Sequence, residues 1–375
     1  MNVINHIADF ASLGGVQSYL YGLNNKFPKE YRLYNVSNKI LDIYSNKTNL
    51  VDYKKLFSFR FLLSKNKQIF IVHNLILSKK WLFIYYLLKI KGCKIIYHEH
   101  GTAWYDPKKN KKKYIKRISK VNKIIVNSKA TCKLLQDFYD ITKSIKILRS
   151  PIFIYEESLK EKTNEIFDFK NKKNKKLKIG FIGRLSPHKN PYFLIEVALI
   201  LKEKYKKNIE LNFVGSGPLE KELEVMCKKK NLNAIFLGRI LNRREVISEW
   251  DFCIIPSIRE PLGLVPGEMA LFNTLTFSSK VDGLKEMYPD ECNLLLIDMI
   301  KNKEVNNPNI QYLPQLDKFD KNFYPDIDQC AKKIIKINKD KNLYKTLLEK
   351  HKTFIKTKFD ISFHSHELQS FAFDI

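Results

Sequence analysis

Two carboxylates with seven residues between them, Glu260 and Glu268, stand in IPSIREPLGLVPGEMALFNT, residues 255–274. The segment follows an apolar, strand-like run, FCIIPS, and leads into a helical pattern, with Pro261, Gly263 and Pro266 shaping the turn between them. Carboxylates accept hydrogen bonds bidentately and a vicinal diol offers two donors, so acids in this place suit sugar and ribose hydroxyls. Glu268 also has a plainer explanation, as a first-turn acid favoured by the helix dipole. Glu260 sits in a loop before a proline and has no such explanation. Three further turns are built alike. They are FIGR at 181–184, running on through LSPHK to Lys189, then FVGSGP at 213–218 and FLGR at 236–239. Glycine after a strand lets backbone N–H groups approach a phosphate, and the next helix N-terminus adds favourable potential. Arg184 and Lys189 stand five apart across the turn opened by Gly183, a spacing that lets both reach one diphosphate. Any one of these turns alone reads as an ordinary strand–turn–helix glycine with solvated bases.

In this order and spacing, GRLSPHK, VGSGP and EPLGLVPGE resemble the family-4 retaining glycosyltransferases. The resemblance continues into VDGLKE at 281–286 and LGGVQSYL at 13–20; it spans most of the chain and is strongest over 177–290. It implies roles residue by residue. Arg184 and Lys189 would bind the donor diphosphate, Glu268 the nucleotide ribose, and Glu260 the hydroxyls of the transferred sugar. Backbone N–H groups of Gly263, Leu264 and Val265 would contact sugar and phosphate. Gly14 and Gly15 would let the N-terminal loop cover the diphosphate. Gly215 and Gly217 would lie near the nucleotide and Arg239 near its base. The resemblance also implies transfer with retention, no metal and no other cofactor. This chain departs from the family in three places: Asn190 stands where glycine is usual, Asn273 and Leu275 replace a Gly and Pro pair, and Gly267 replaces an apolar residue.

Other residues invite chemistry less specifically. YHEHGTAW at 97–104 follows a strand, and alternation points His98 and His100 to one side. An H-x-H pair invites a metal, but no further ligand spacing supports one. The family has one histidine at this strand end, touching the sugar; His100, beside Gly101, matches it best and His98 is the fallback. Asp326-Ile327-Asp328 is a DxD string, which binds a divalent metal in other sugar transferases. Here it follows Pro325 and opens an amphipathic helix, so capping explains it.

These residues need elements to position them. Strand candidates VINHIADF, YRLYNV, QIFIVHN, KIIYHEH, KIIVNS and IKILRS alternate with helical patterns at Val16–Phe27, Lys79–Lys91 and Ala130–Phe138. After a polar stretch, Glu156–Lys176, the rhythm restarts with LKIGFIG, IELNFVG, AIFLG, FCIIPS and LTFSS, and ends in helical patterns at Gln329–Ile337 and Leu343–Phe359. Such alternation predicts βαβ units and parallel sheets. The expected fold is α/β GT-B: two doubly wound Rossmann-like domains facing across a cleft. The expected boundaries are 1–165 for an acceptor-side domain, 166–355 for a nucleotide-sugar domain, and 356–375 for a segment packing back on the first.

With 375 residues and 44% hydrophobic content the chain supports two cores. The formal net charge of +28 attracts polyanions, although lysine excess without pattern is a weak clue. Local clustering is a better one: Pro107–Lys123 holds nine Lys or Arg and no acid, with Tyr114, Ile115, Ile118 and Val121 spaced along one face. That segment reads either as a solvated helix or as a surface for anionic lipid. Cys93, Cys132, Cys227, Cys253, Cys292 and Cys330 are widely spaced, without a CxxC pair, and read as reduced structural thiols. The N-terminus reads directly as a strand, so no signal peptide is expected. WLFIYYLLKI at 81–90 is too short to cross a bilayer and reads as a buried helix. The expected partners are a nucleoside-diphosphate sugar and a glycan or lipid-linked acceptor for bacterial surface glycan assembly, and not nucleic acid. The expected location is cytoplasmic, peripheral on the inner face of the membrane. The alternatives weighed are a nucleotide-sugar epimerase of the same fold, a basic nucleic-acid-binding protein, and a silent subunit of a partner transferase.

Overall fold

The computed structural model of the chain describes residues 3–11, 14–37, 50–58, 68–105, 107–153, 176–240, 244–301, 311–313, 318–320 and 323–373. The chain divides into two compact units, Met1–Phe153 with Phe359–Ile375, and Ile154–Lys358. The expected boundary at 165/166 lies outside the described residues.

In the first unit, short β-branched and aromatic runs form β1 (Ile4–Ala8), β2 (Tyr31–Asn35), β3 (Leu50–Asp52), β4 (Ile69–His73), β5 (Lys94–Glu99), β6 (Lys123–Val126) and β7 (Ile145–Ile147). They make one parallel sheet in the order β3-β2-β1-β4-β5-β6-β7. β1 and β4 are buried along their whole length, as strands of a sheet covered on both faces must be. The connecting helices include α1 (Gly15–Lys26), α2 (Lys80–Ile90), α3 (Pro107–Ile118) and α4 (Lys129–Asp137). Their ends follow local chemistry. Ser128 caps α4 by accepting from the Thr131 N–H at 3.0 Å. Gly92, at φ 70°, closes α2, and the Cys93 N–H returns to the Leu88 carbonyl at 2.9 Å. The C-terminal helix, Ile361–Phe373, adds Leu368 and Ala372 to the core formed by Ile4, Leu20, Leu33, Ile71 and Ile96.

The second unit repeats the plan. β8 (Leu177–Ile182), β9 (Ile209–Val214), β10 (Asn233–Phe236), β11 (Phe252–Ile255), β12 (Leu275–Ser279) and β13 (Leu296–Ile297) form a parallel sheet in the order β10-β9-β8-β11-β12-β13. Helices α5 (Tyr192–Glu203), α6 (Glu220–Lys229), α7 (Arg244–Ile247) and α8 (Val265–Leu271) follow β8, β9, β10 and β11 in turn. α9 (Ile327–Lys339) and α10 (Lys341–Lys358) come last in this unit. In both sheets the strand order reverses beside the first strand, between β1 and β4 and between β8 and β11. Loops leaving the carboxyl ends of those pairs diverge and open a crevice, the usual ligand position in open parallel sheets.

One expectation is corrected by the fold. α2 is a helix but not a buried one. Trp81, Ile84, Tyr85 and Leu88 are buried, while Leu82, Phe83, Tyr86 and Ile90 are exposed, Ile90 at 85%. Hydropathy alone does not say which side of an apolar helix has a neighbour.

Candidate functional site

β8 and β11 are hydrogen-bonded neighbours, Ile179 opposite Phe252, so the loops from their carboxyl ends start side by side. After β8 the chain passes Gly183 and the exposed Arg184, then makes one 3-10 turn, Pro187–Lys189. After β11 it runs through Ser257 to Glu260. The Ile258 N–H donates to the His188 carbonyl at 2.9 Å and ties the two loops together. The Lys189 ammonium pairs with Glu260 Oε2. The Ser257 hydroxyl donates to the same oxygen at 3.3 Å.

Glu260 is fixed through its backbone as well. Its N–H donates to Asp282 Oδ2 at 3.1 Å, and its carbonyl accepts from the Gly283 N–H at 3.1 Å. Burial pushes the Asp282 carboxyl up to about 8, so near neutral pH it holds this loop mainly as the uncharged acid. Burial and the charge of Lys189 hold His188 down to about 4; Arg259 and Arg184 act in the same direction, and Glu260 opposes them. One imidazole therefore senses all four charges of this turn. Gly263, at φ 77°, is required where it stands: a Cβ would fall 2.7 Å from Glu260 Cγ and from Leu284 Cδ1. α8 starts immediately afterwards, with Leu264 as its cap, Val265 first and Pro266 next, where a missing N–H costs nothing. The amides of Gly267 and Glu268 turn back to the Leu264 carbonyl, each at 3.1 Å, which leaves the earlier amides at the mouth of the turn. Glu268 lies in that first turn, half-buried.

The glycine turns form a connected array. The Gly183 N–H donates to the Val214 carbonyl at 3.0 Å and the Gly215 N–H to the Gly238 carbonyl at 2.7 Å. Arg239 Nε donates to Ser216 Oγ at 2.9 Å. A Cβ on Gly215 would lie 1.9 Å from the Gly183 carbonyl oxygen, and one on Gly217 would lie 2.2 Å from that of Leu185. Neighbouring backbones thus approach too closely for any other residue. Two of the departures from the family have a conformational basis. Asn190 and Asn273 take φ 53° and 65°, in the left-handed region that asparagine tolerates best after glycine. Sequence reasoning assigned nothing to Ser257, His188 or Asp282. Asp282 stands in VDGLKE, but no spacing rule connects it with Glu260.

In the first unit, Gly14 and Gly15 lead into α1 after β1, and both are exposed. His98 and His100 do share one side of β5, with ring centroids 3.9 Å apart. His98 is fully buried and His100 half-buried. They are joined by two histidines that no sequence pattern singled out, His6 on β1 and His73 at the end of β4. His73 Nδ1 lies 2.9 Å from His100 Nε2, and His73 Nε2 lies 2.8 Å from His6 Nδ1. Ligating nitrogens of His73, His98 and His100 all fall within 4.8 Å of one another. Burial holds His6 and His100 down to about 3, and His73 and His98 well below the ordinary imidazole range; neighbouring histidines add to each shift.

Other features find plain structural work. Asp326 caps α9, accepting from the Gln329 N–H at 2.9 Å, and Asp328 lies 3.7 Å from Lys204. All six cysteines are buried and unpaired by disulfides. On α3, Tyr114 and Ile118 are buried, Val121 just beyond is 2% exposed, and Ile115 is half-buried, so the apolar stripe packs inward. Its lysines 108, 109, 112, 113 and 116 are exposed. Leu82 and Tyr86 of α2 share a groove with Lys112, Lys113, Lys116, Arg117 and Lys120. Among the described residues no helix is long and apolar enough to cross a membrane.

The alpha-1,4-N-acetyl-D-galactosaminyltransferase of Campylobacter jejuni, named for its GalNAc-alpha-(1->4)-GalNAc-alpha-(1->3)-diNAcBac-PP-undecaprenol substrate, is 27% identical over 156 residues, 41% of each chain. An uncharacterized 41.2 kDa protein in the cps region of Klebsiella pneumoniae is 27% identical over 226 residues, 58% of this chain and 61% of that one. The chain thus spans less than two thirds of the length of either relative. Among solved structures, Anabaena HepE in complex with UDP and glucose superposes with a TM-score of 0.74 over 100% of both chains at 14% identity, and its UDP-glucose complex gives 0.73. The apo form of WaaB, a lipopolysaccharide outer core galactosyltransferase, gives 0.67 over 100% of both chains at 13% identity. At such identities the likeness speaks for the fold, which is GT-B, as expected. The family described as Glycosyl transferases group 1 matches residues 162–354, more than half of the 375, and this chain belongs to it.

Proposed function

We propose that the protein moves a hexosyl or N-acetylhexosaminyl group from a nucleoside-diphosphate sugar to an acceptor hydroxyl, with retention and without a catalytic metal or other cofactor. The observation that carries this reading is the pairing of Lys189 with Glu260 where β8 and β11 diverge, beside a hydrogen-bonded array of glycine turns. Breaking the bond from the anomeric carbon to the phosphate oxygen leaves negative charge on the departing diphosphate. Fixed cations and N–H donors lower that barrier because they stand where the charge develops. Arg184, Lys189 and the amides of Gly263, Leu264 and Val265 take this role, with Gly183 giving the turn its close approach. Glu268 accepts from the ribose. Glu260, seated by Ser257 and by the hold of Asp282 on its backbone, meets the sugar hydroxyls. Gly215 and Gly217 line the nucleotide and Arg239 its base. The acceptor oxygen attacks the face from which the phosphate leaves. That phosphate takes the acceptor proton, so one C–O bond forms as another breaks and no enzyme nucleophile is needed.

UDP and UDP-glucose in the HepE structures support a nucleotide-sugar donor. The undecaprenol-linked substrate in the Campylobacter name and the cps setting of the Klebsiella relative support a lipid-linked or surface-glycan acceptor. Exposed lysines on α3 beside exposed Leu82 and Tyr86 on α2 suit a cytoplasmic protein that rests on an anionic membrane surface. Thermal-shift screening of a panel of nucleotide sugars, followed by turnover of the best binder with EDTA present, tests the reading. A selective shift and chelator-resistant transfer are expected. If no nucleoside diphosphate or its sugar shifts the melting transition, the donor site is elsewhere or absent.

A further inference from the structure

On one face of the first sheet the aliphatic rows of β4 and β5 run into histidine, and β1 carries a histidine in mid-strand. Along β1 the row runs Ile4, His6, Ala8; along β4, Ile69, Ile71, His73; along β5, Ile96 and His98, with His100 just beyond. His73 and His98 are register partners on adjacent strands. A cluster of imidazoles therefore gathers at the ends of β4 and β5 and the middle of β1, above the core that packs against α1.

His98 is the anomaly in this cluster. It is fully buried, and neither ring nitrogen has a hydrogen-bond partner among the described residues. A neutral imidazole must carry one N–H and one lone pair, and leaving both unmet in a protein interior is costly. The other three rings are linked: His6 to His73 at 2.8 Å and His73 to His100 at 2.9 Å. Between His73 Nδ1 and His100 Nε2 a single proton is shared, because both rings are neutral when buried. Once the ring that holds it shifts that proton to its other nitrogen, an ion can take its place, drawing a lone pair from each ring and a third from His98.

We infer that His73, His98 and His100 form a binding site for one divalent transition-metal ion of the zinc class. Three imidazole nitrogens with a fourth position left open suit such an ion. Ligands of tetrahedral zinc stand about 3.4 Å apart. The ligating nitrogens here lie within 4.8 Å, so small ring rotations close the set. His6 supplies the outer contact: with His73 Nδ1 on the ion, its Nε2–H donates to His6 Nδ1, the pairing by which ligating histidines are usually oriented. Six buried cysteines offer no rival thiolate set, and burial raises the thiols of Cys227, Cys253, Cys292 and Cys330.

The test uses the full chain, stripped of metal and titrated with zinc and with cobalt, without donor or acceptor. Its outcome is therefore separate from that of the transferase reading. Calorimetry should give one zinc ion per chain, and cobalt should show the intense visible bands of a four-coordinate nitrogen site. His98→Gln should abolish stoichiometric binding, and His6→Phe should weaken zinc affinity by about 10–100-fold. Circular dichroism on both variants checks folding, and the cobalt spectrum of the unaltered protein does not depend on either. The site is overturned if the unaltered chain binds no zinc, if cobalt shows a thiolate charge-transfer band or only the pale six-coordinate spectrum, or if folded His98→Gln keeps full affinity.

Discussion

Arg184 and Lys189 differ in how they are held, and their variants should differ accordingly. Arg184 is exposed, whereas Lys189 is half-buried and paired with Glu260. Removing one fixed charge from a developing anion typically costs about 10²–10³ in rate. Arg184→Ala and Lys189→Ala should each lose turnover on that scale at saturating donor while circular dichroism stays unchanged. Lys189→Ala should also alter sugar positioning, because Glu260 loses its cation. Near-normal rates in both would remove the diphosphate from this turn. Asp282 makes a separate prediction, about pH. An unfolded chain ionises this carboxyl near pH 4, while the folded protein keeps it protonated to about 8. Between those values the unfolded state has released a proton that the folded state retains, so this group lowers stability as pH rises through the window. Asp282→Asn keeps an oxygen for the Glu260 N–H and removes the ionisation. The melting temperature of the variant relative to the unaltered protein should climb from pH 4 to 8 and then level. A difference that stays flat across that range would mean the carboxyl titrates normally.

At the scale of elements, the glycine turns separate two reasons for having glycine. Gly215 is demanded by backbone approach, with φ 131° and a Cβ that would meet the Gly183 carbonyl. Overpacking of this kind costs roughly 1–3 kcal/mol, so Gly215→Ala should lower both the melting temperature and donor affinity. A Cβ on Gly15 would meet nothing within 4 Å. Gly15→Ala should therefore leave the melting temperature unchanged. A fall like that of Gly215→Ala would mean that both glycines are held by close packing. Helices α2 and α3 make a prediction of another kind. Each Lys or Arg near an anionic bilayer contributes roughly 1 kcal/mol. Replacing Lys108, Lys109, Lys112 and Lys116 with Glu should weaken sedimentation with anionic vesicles by ~10³ or more and spare nucleotide binding. If the unaltered protein ignores such vesicles at low salt as well, α3 is only a solvated helix.

For the molecule as a whole, the first unit is made from two distant stretches of chain. Fully buried Leu368 and Ala372 of the C-terminal helix complete its core. The Tyr31 hydroxyl lies 2.6 Å from Ser365 Oγ, and the Tyr19 hydroxyl 2.8 Å from His364 Nε2. Burying one leucine side chain is worth about 1.5–3 kcal/mol, and its loss here would also leave both tyrosine hydroxyls without these partners. Deleting 359–375 should therefore melt the first unit at lower temperature. The second unit, whose sheet and helices lie within 154–358, should keep its nucleotide-dependent transition. A truncated chain that melts like the full one would show the C-terminal helix to be dispensable.

Much of this was determined by the sequence alone. Alternating strand and helix periods prescribe parallel sheets, because a strand buried on both faces needs a helix to cross it over to the next. Glycine after a strand marks close backbone approach, and both asparagines standing in for glycine proved left-handed. Glu260 was legible because no local rule explains a glutamate before that proline. What the sequence left undecided depends on contacts between strands far apart in it. Asp282 steadies Glu260 from 22 residues away through one hydrogen bond. The exposed side of α2 follows from which face the sheet covers, which hydropathy does not record. The histidine cluster is the clearest case. The H-x-H pair was visible, but His73 and His6 reach it from β4 and β1, 27 residues from His100 and 67 residues from His73 respectively. Parallel pairing brings strand ends together whatever loop length separates them, so no ligand spacing along the chain can announce such a site.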